Sequence, residues 1–220
     1  MRILALSDIE VPSFHTPQVR ERFPAVKLLI GCGDLPYYYL EFLQSVLNVP
    51  LFHVRGNHSK VVEESPIGSL DGPLGGHDLH RRVIKYGGLL LAGVEGSGRY
   101  REGPYQYTQF GMFGHVLRLI PPLLVNRLRY GRYLDIFVTH ASPWGIHDQP
   151  DLPHHGIKAF LWFIKTFQPK YHLHGHVHIY NPNTVRETMV GQTKVVNTYG
   201  YREIDIEVEA GRSNNQKGGN

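Results

Sequence analysis

Five short blocks of this chain carry side chains able to hold divalent cations or to move protons. They are Asp8-Ile9-Glu10, Gly33-Asp34, Gly56-Asn57-His58, His140, and Gly175-His176-Val177-His178. Carboxylate, imidazole and amide oxygen together suit a divalent ion of intermediate hardness. Fourteen histidines are a high count for 220 residues. Imidazole is the commonest transition-metal side-chain ligand and also carries protons near neutral pH. Gly33, Gly56 and Gly175 each precede one of these residues, where the chain has to turn sharply and a ligand has to come close. His176 and His178 lie two apart, so in an extended segment they share one face.

The blocks gain meaning from what precedes them. Arg2–Ser7, Val26–Ile30, Leu51–Arg55, Leu134–Thr139 and Tyr171–Leu173 read as short buried strands, and each is followed within three residues by a ligand block. In open α/β sheets ligands gather beyond the carboxyl ends of the strands, so five separated regions should converge on one rim. Pro36–Leu47 and His155–Phe167 have helical spacing, and Arg82–Tyr86 with Leu89–Val94 flank a Gly87-Gly88 hairpin signal. Ser59–His80 reads as loop. Thr184–Val190, Lys194–Thr198 and Glu203–Glu209 complete the strands. The expectation is a layered α/β fold in one domain over 1–210, followed by a flexible polar tail at 211–220. Arg99–Tyr133, with six arginines, five tyrosines, the single acid Glu102 and the apolar stretch Val116–Val125 interrupted by Pro121-Pro122, reads as an insertion between core strands.

In their order, the five blocks resemble the signature of the calcineurin-like metallophosphoesterase superfamily: D-x-H, G-D, G-N-H-[DE], H, G-H-x-H. The likeness runs from Met1 to about Asn197. Gly-Asn-His followed later by Gly-His-Val-His is its most specific part. The resemblance implies an α/β four-layer sandwich, two mixed β-sheets flanked by helices. It also implies hydrolysis of phosphate mono- or diesters by a hydroxide bridging two divalent metals. Asp34 would bridge them; Asp8, Glu10 and His178 would complete one ion, and Asn57, His140 and His176 the other. His58 would be the catalytic residue that protonates the departing oxygen or stabilises charge on the phosphoryl group. Mn2+ is the first expectation for the cations, with Fe, Zn, Ni or Mg2+ as alternatives. Two cations about 3.5–4 Å apart need an anionic bridge and can clamp both oxygens of an in-line displacement.

Two positions depart from the signature. Glu10 stands where histidine is usual, which adds negative charge and favours Mn2+- or Mg2+-like ions or a weaker first site. Ser59 stands where an acid commonly follows the histidine. The Asp-Arg-Gly of the Ser/Thr phosphoprotein phosphatases is missing after Asp34, which argues against that branch. His172 and His174 match no ligand position and read as core or surface histidines. His147, His154 and His155, between two ligand blocks, are candidates for substrate contact.

Composition narrows the rest. A net charge of +4 suits anionic substrates, such as a phosphorylated small molecule or a nucleotide-like one, without indicating nucleic-acid binding. The lone Cys32 rules out an internal disulfide, and no secretory leader or membrane-length apolar run is evident, so the expected location is cytoplasmic. Two other functions compete with the hydrolase. One is a catalytically weak scaffold that keeps the fold for protein binding. The other is a nuclease, which rests only on mild basicity and the arginine-rich segment.

Overall fold

The computed structural model describes residues 1–66 and 68–208; the expected tail at 211–220 and Glu209 lie outside the described residues. Two large sheets contain eleven of the fifteen strands among the described residues. The first contains β1 (Arg2–Ser7), β2 (Val26–Cys32), β3 (Leu51–Val54), β6 (Gly76–Asp78) and β15 (Gly200–Asp205), in the order β15-β1-β2-β3-β6. The second contains β7 (Val83–Tyr86), β8 (Leu89–Val94), β11 (Ile136–Thr139), β12 (Tyr171–His174), β13 (Glu187–Val190) and β14 (Thr193–Asn197), in the order β13-β14-β12-β11-β8-β7. The remaining strands form two small pairs, β4 (Glu63–Ser65) with β5 (Gly68–Leu70) and β9 (Ser97–Gly98) with β10 (Gln106–Tyr107).

The apolar runs continue along the central strands because both faces are covered. In β1, Ile3 and Ala5 face the space between the sheets, while Leu4 and Leu6 face the opposite way. Likewise Ile136 and Val138 of β11 join the inter-sheet core while Phe137 packs outward. The outer face of the first sheet is covered by Phe14, by α1 (Val19–Arg22) and by α2 (Tyr37–Leu47). The outer face of the second is covered by α3 (Gln109–Leu117), α4 (Ile120–Tyr130) and α5 (Lys158–Phe167). The result is four layers, helix–sheet–sheet–helix, as the resemblance implied. Each fully buried Leu, Ile or Phe in them is worth roughly 1.5–3 kcal/mol. No helix among the described residues is long and apolar enough to cross a membrane.

The last strand, expected at Glu203–Glu209, runs Gly200–Asp205 instead, and two segments differ in kind from the sequence reading. Ser59–His80, expected as loop, contains the β4–β5 hairpin and also β6, which pairs parallel with β3 at the edge of the first sheet. In Arg99–Tyr133, Pro121-Pro122 does not interrupt the apolar stretch but starts α4, where missing amide hydrogens cost nothing. Met112, Val116, Leu119 and Leu123 from this segment are buried against the second sheet.

Candidate metal centre

Strand direction brings the ligand blocks together. Strands β1, β2 and β3 are parallel, so Asp8, Asp34 and Asn57 emerge at one rim. Strands β8, β11 and β12 are parallel in the second sheet, which delivers His140 and His176 to its own rim. Within each rim the turns are tied together: the Asp8 amide donates to the Gly33 carbonyl at 3.2 Å, and that of Gly175 to the His140 carbonyl at 3.0 Å. Across the sandwich, the Thr198 hydroxyl donates to Ser7 Oγ at 3.0 Å.

Three of the aligned residues, Asp8 (φ 68°), Asp34 (φ 55°) and His176 (φ 68°), adopt the left-handed region that costs any side chain other than glycine. Such strain persists where surrounding contacts over-determine the backbone. Gly33 needs glycine for its φ of 95°. Gly56 and Gly175 need it for space instead. A Cβ on Gly56 would run into the Asp34 carboxylate and lie 2.8 Å from the Asp34 amide nitrogen, and one on Gly175 would lie 2.6 Å from Asp8 Oδ2.

At the centre, four acceptor atoms converge. Asp34 Oδ2 is 3.1 Å from His140 Nε2, Asn57 Oδ1 is 3.0 Å from the same nitrogen, and His176 Nδ1 lies 3.1 Å from it. Asp34, His140 and His176 offer ligand atoms all within 4.8 Å of one another. The other nitrogen of each imidazole is engaged by a backbone carbonyl, His140 Nδ1 by Cys32 at 2.9 Å and His176 Nε2 by Pro153 at 2.8 Å. Each N–H therefore points away from the centre and a lone pair points into it. The Asn57 amide nitrogen donates to the Tyr100 hydroxyl at 3.2 Å, which turns Oδ1 inward.

Four acceptors and no donor need a cation. Without a metal a proton takes that place: burial alone would depress His140, but Asp34 raises it to about 9. Burial would lift Asp34, yet the His140 charge and hydrogen bonds from His140 and the His58 amide bring it down to about 2. Burial and the His140 charge push His176 down to about 3, leaving it neutral. The chemistry of this donor set fits a divalent cation.

The other aligned residues are arranged more loosely. Asp8, whose carboxyl burial pushes up, accepts the His176 amide at 3.0 and 3.1 Å. His178 Nε2 is 4.0 Å from Asp8, its side chain is 40% exposed, and its Nδ1 meets the Tyr180 hydroxyl at 2.9 Å. Glu10 is held by Tyr38, whose hydroxyl lies 2.7 and 2.6 Å from the carboxylate oxygens, and by His15 Nε2 at 3.1 Å. The backbone amide of His58 donates to Asp34 Oδ1 at 2.8 Å, and His58 lines a cavity of about 310 Å3 with Asp34, Tyr38 and Lys60. The Ser59 hydroxyl accepts the Gly56 amide at 2.9 Å and so closes the turn carrying Asn57 and His58.

Sequence reasoning did not find Tyr100, Tyr38, His15 or the carbonyls of Cys32 and Pro153. Tyr100 sits in the arginine- and tyrosine-rich segment that stood out by composition; the two carbonyls leave no trace in residue type. The intervening histidines are occupied. His147 bridges His174 and Thr188 at 2.9 Å each, His154 pairs with Asp151 at 2.6 Å, and His155 stacks on Trp144 at 4.9 Å. His174 is satisfied on both nitrogens, whereas buried His172 bonds Thr139 through Nε2 and leaves Nδ1 without a partner.

Comparison with known proteins agrees with this architecture. A family model described as calcineurin-like phosphoesterase matches residues 1–180. One solved structure, 17% identical, superposes with a TM-score of 0.62 over 93% of this chain and 94% of its own. TT1561 of Thermus thermophilus is 18% identical, with a TM-score of 0.59 over 90% of this chain and 89% of its own. GAP50, described as the anchor in the inner membrane complex of Plasmodium, is 10% identical, with a TM-score of 0.51 over 90% and 70%. At these identities the likeness is one of fold. No curated protein matches the sequence.

Proposed function

Because this chain belongs to the calcineurin-like phosphoesterase family, we propose that it is a hydrolase of phosphate mono- or diesters that works with two divalent cations, Mn2+ first among them. The observation that carries the reading is the convergence of Asp34, Asn57, His140 and His176, four acceptors with no donor between them. These four would hold one cation, and Asp34 with Asp8, Glu10 and His178 the other. Bound there, divalent cations polarise a phosphoryl group and activate water.

The chain's own groups supply orientation and protons. The Cys32 and Pro153 carbonyls keep the two imidazoles aimed inward, and Tyr100 does the same for the Asn57 amide. Water adds to phosphorus and gives up a proton to solvent, and the bond from phosphorus to the alcohol oxygen breaks. A ring N–H of His58, restored afterwards from solvent, passes its proton to that oxygen. His58 is suited to this because its amide is anchored to Asp34 while its side chain lines the adjoining cavity, with Lys60 on the wall to meet phosphoryl oxygens. The hold of Tyr38 and His15 on Glu10 favours a second reading, a chain that keeps the fold and one cation yet turns over little.

Metal analysis combined with turnover of an aryl phosphodiester and monoester in Mn2+ separates the two. Asp34→Asn should lose bound metal and turnover together. His58→Ala should keep its metal and lose about 10^2–10^4-fold in rate. Wild-type protein that binds metal without turnover would establish the scaffold reading, and undiminished turnover in His58→Ala would remove His58 from its role.

A further inference from the structure

A second cavity, of about 370 Å3, adjoins the looser half of the centre, and Ile9, Ile179, Arg186, Tyr199 and Arg202 lie on its wall. Ile9 follows Asp8 and Ile179 follows His178, and the Tyr199 ring packs on the His178 ring at 4.8 Å. Tyr180, 82% exposed, stands 6.3 Å from Tyr199 between ring centres. Tyr199 thus touches both sides: its ring lies against His178, and its backbone carbonyl accepts a hydrogen bond from Arg186 Nη2.

Both guanidiniums line this cavity, and among the described residues neither meets a carboxylate there. Arg186 Nη2 donates to the backbone carbonyls of Asn197 and Tyr199, both neutral, and its buried Nε has no partner. Arg202 Nη1 reaches only the Tyr201 carbonyl, at 3.3 Å. Among the described residues neither arginine is in an ion pair, and the acid on the cavity wall, Glu203, lies 3.9 Å from Arg2 instead. Burial, and after it the charge of Arg202, bring Arg186 down to about 10, as expected of neighbouring like charges. Like charges in one cavity are costly until an anion joins them, and guanidinium forks match the geometry of phosphate oxygens.

We propose that Arg186 and Arg202 form an anion subsite for a second phosphoryl group, carried on the alcohol portion of the ester whose first phosphate occupies the metal centre. The preferred substrate is then a small molecule bearing two phosphates about one ring apart, with the spacer lying along Tyr199 and Tyr180. The subsite as part of a substrate site rests on the phosphoesterase reading; the capacity to bind an anion does not.

The test has two arms. In the first, inorganic phosphate is titrated into the chelator-treated full chain, where the metal centre contributes little. Binding should weaken about tenfold or more in Arg202→Gln, the loss of one charge-assisted hydrogen-bond set, and be largely restored in Arg202→Lys. Arg202 is chosen because Arg186 also ties down backbone, and thermal unfolding checks that the variant is folded. Equal affinity in wild type and Arg202→Gln overturns the subsite. In the second arm, the Mn2+-loaded chain is given phenyl phosphate and benzene-1,4-diyl bisphosphate. The second phosphate should lower KM about tenfold in wild type, and that ratio should collapse in Arg202→Gln; the same ratio in both proteins also overturns the proposal. Absence of turnover on either ester would sink the hydrolase reading, and the phosphate titration would still decide the arginine pair.

Discussion

The two halves of the centre are built to different tolerances. Asp34, Asn57, His140 and His176 meet at 3.0–3.1 Å, and His140 and His176 each have their far nitrogen fixed by a backbone carbonyl. Beside them, the Asp8 side chain is buried and engaged by a backbone amide. Glu10 and His178, however, lean on the side chains of Tyr38, His15 and Tyr180. Backbone supports are held by the sheets, whereas tyrosine and histidine supports can change rotamer. A rigid half pays little ordering entropy when a cation arrives, so it should bind first and tightest.

The largest disturbance of that contrast should come from Gly56→Ala. Its methyl group would displace the Asp34 carboxylate and backbone, costing about 1–3 kcal/mol of stability. The tight cation should weaken by more than the ~10–100-fold typical of a lost supporting residue, measured by competitive chelation. Unchanged affinity would mean that the crowding around Asp34 is irrelevant to binding.

pH comes next. Without metal, His140 is raised to about 9 from 6.5, so the stability it draws from Asp34 is complete below pH 6.5 and is lost as pH rises through 9. A cation must displace that proton. Affinity should therefore rise about tenfold per pH unit from 7 toward 9, with about one proton released per ion, measurable by calorimetry in buffers of different ionisation enthalpy. Affinity independent of pH over this range would show that His140 is not a ligand of the tight ion.

Tyr100→Phe frees the Asn57 amide to rotate and should weaken the tight ion about tenfold. Tyr38→Phe does the reverse at the other half: it releases Glu10 and should strengthen the second, weaker ion by a few fold, read from metal stoichiometry. Should Tyr38→Phe instead weaken that ion, Tyr38 is positioning Glu10 as a ligand rather than withholding it.

Legibility in the sequence followed the range of the interactions. The strands Arg2–Ser7 and Leu89–Val94 and the helix ending at Leu47 were readable almost to the residue, because buried runs, a glycine pair and Pro36 act locally. The helices of Arg99–Tyr133 were hidden by Pro121-Pro122, which reads as an interruption until the chain is seen to begin a helix there. Strand β6, three residues of Gly-His-Asp, carries no apolar pattern and exists through its pairing with β3. At the centre, the order of the blocks singled out Asp34, Asn57, His140 and His176, whose side chains the strand directions bring together.

The amino-acid sequence by itself determined which residue types stand at the strand ends and therefore what chemistry the rim can offer. Only the tertiary structure decided how each is aimed: Asn57 by Tyr100, 43 residues away, His140 by a carbonyl 108 residues away, and Glu10 by Tyr38, 28 residues away. The physical reason is that a strand's periodicity is a property of neighbouring residues. The direction of a hydrogen bond depends instead on which distant group the packed sheets bring within about 3 Å.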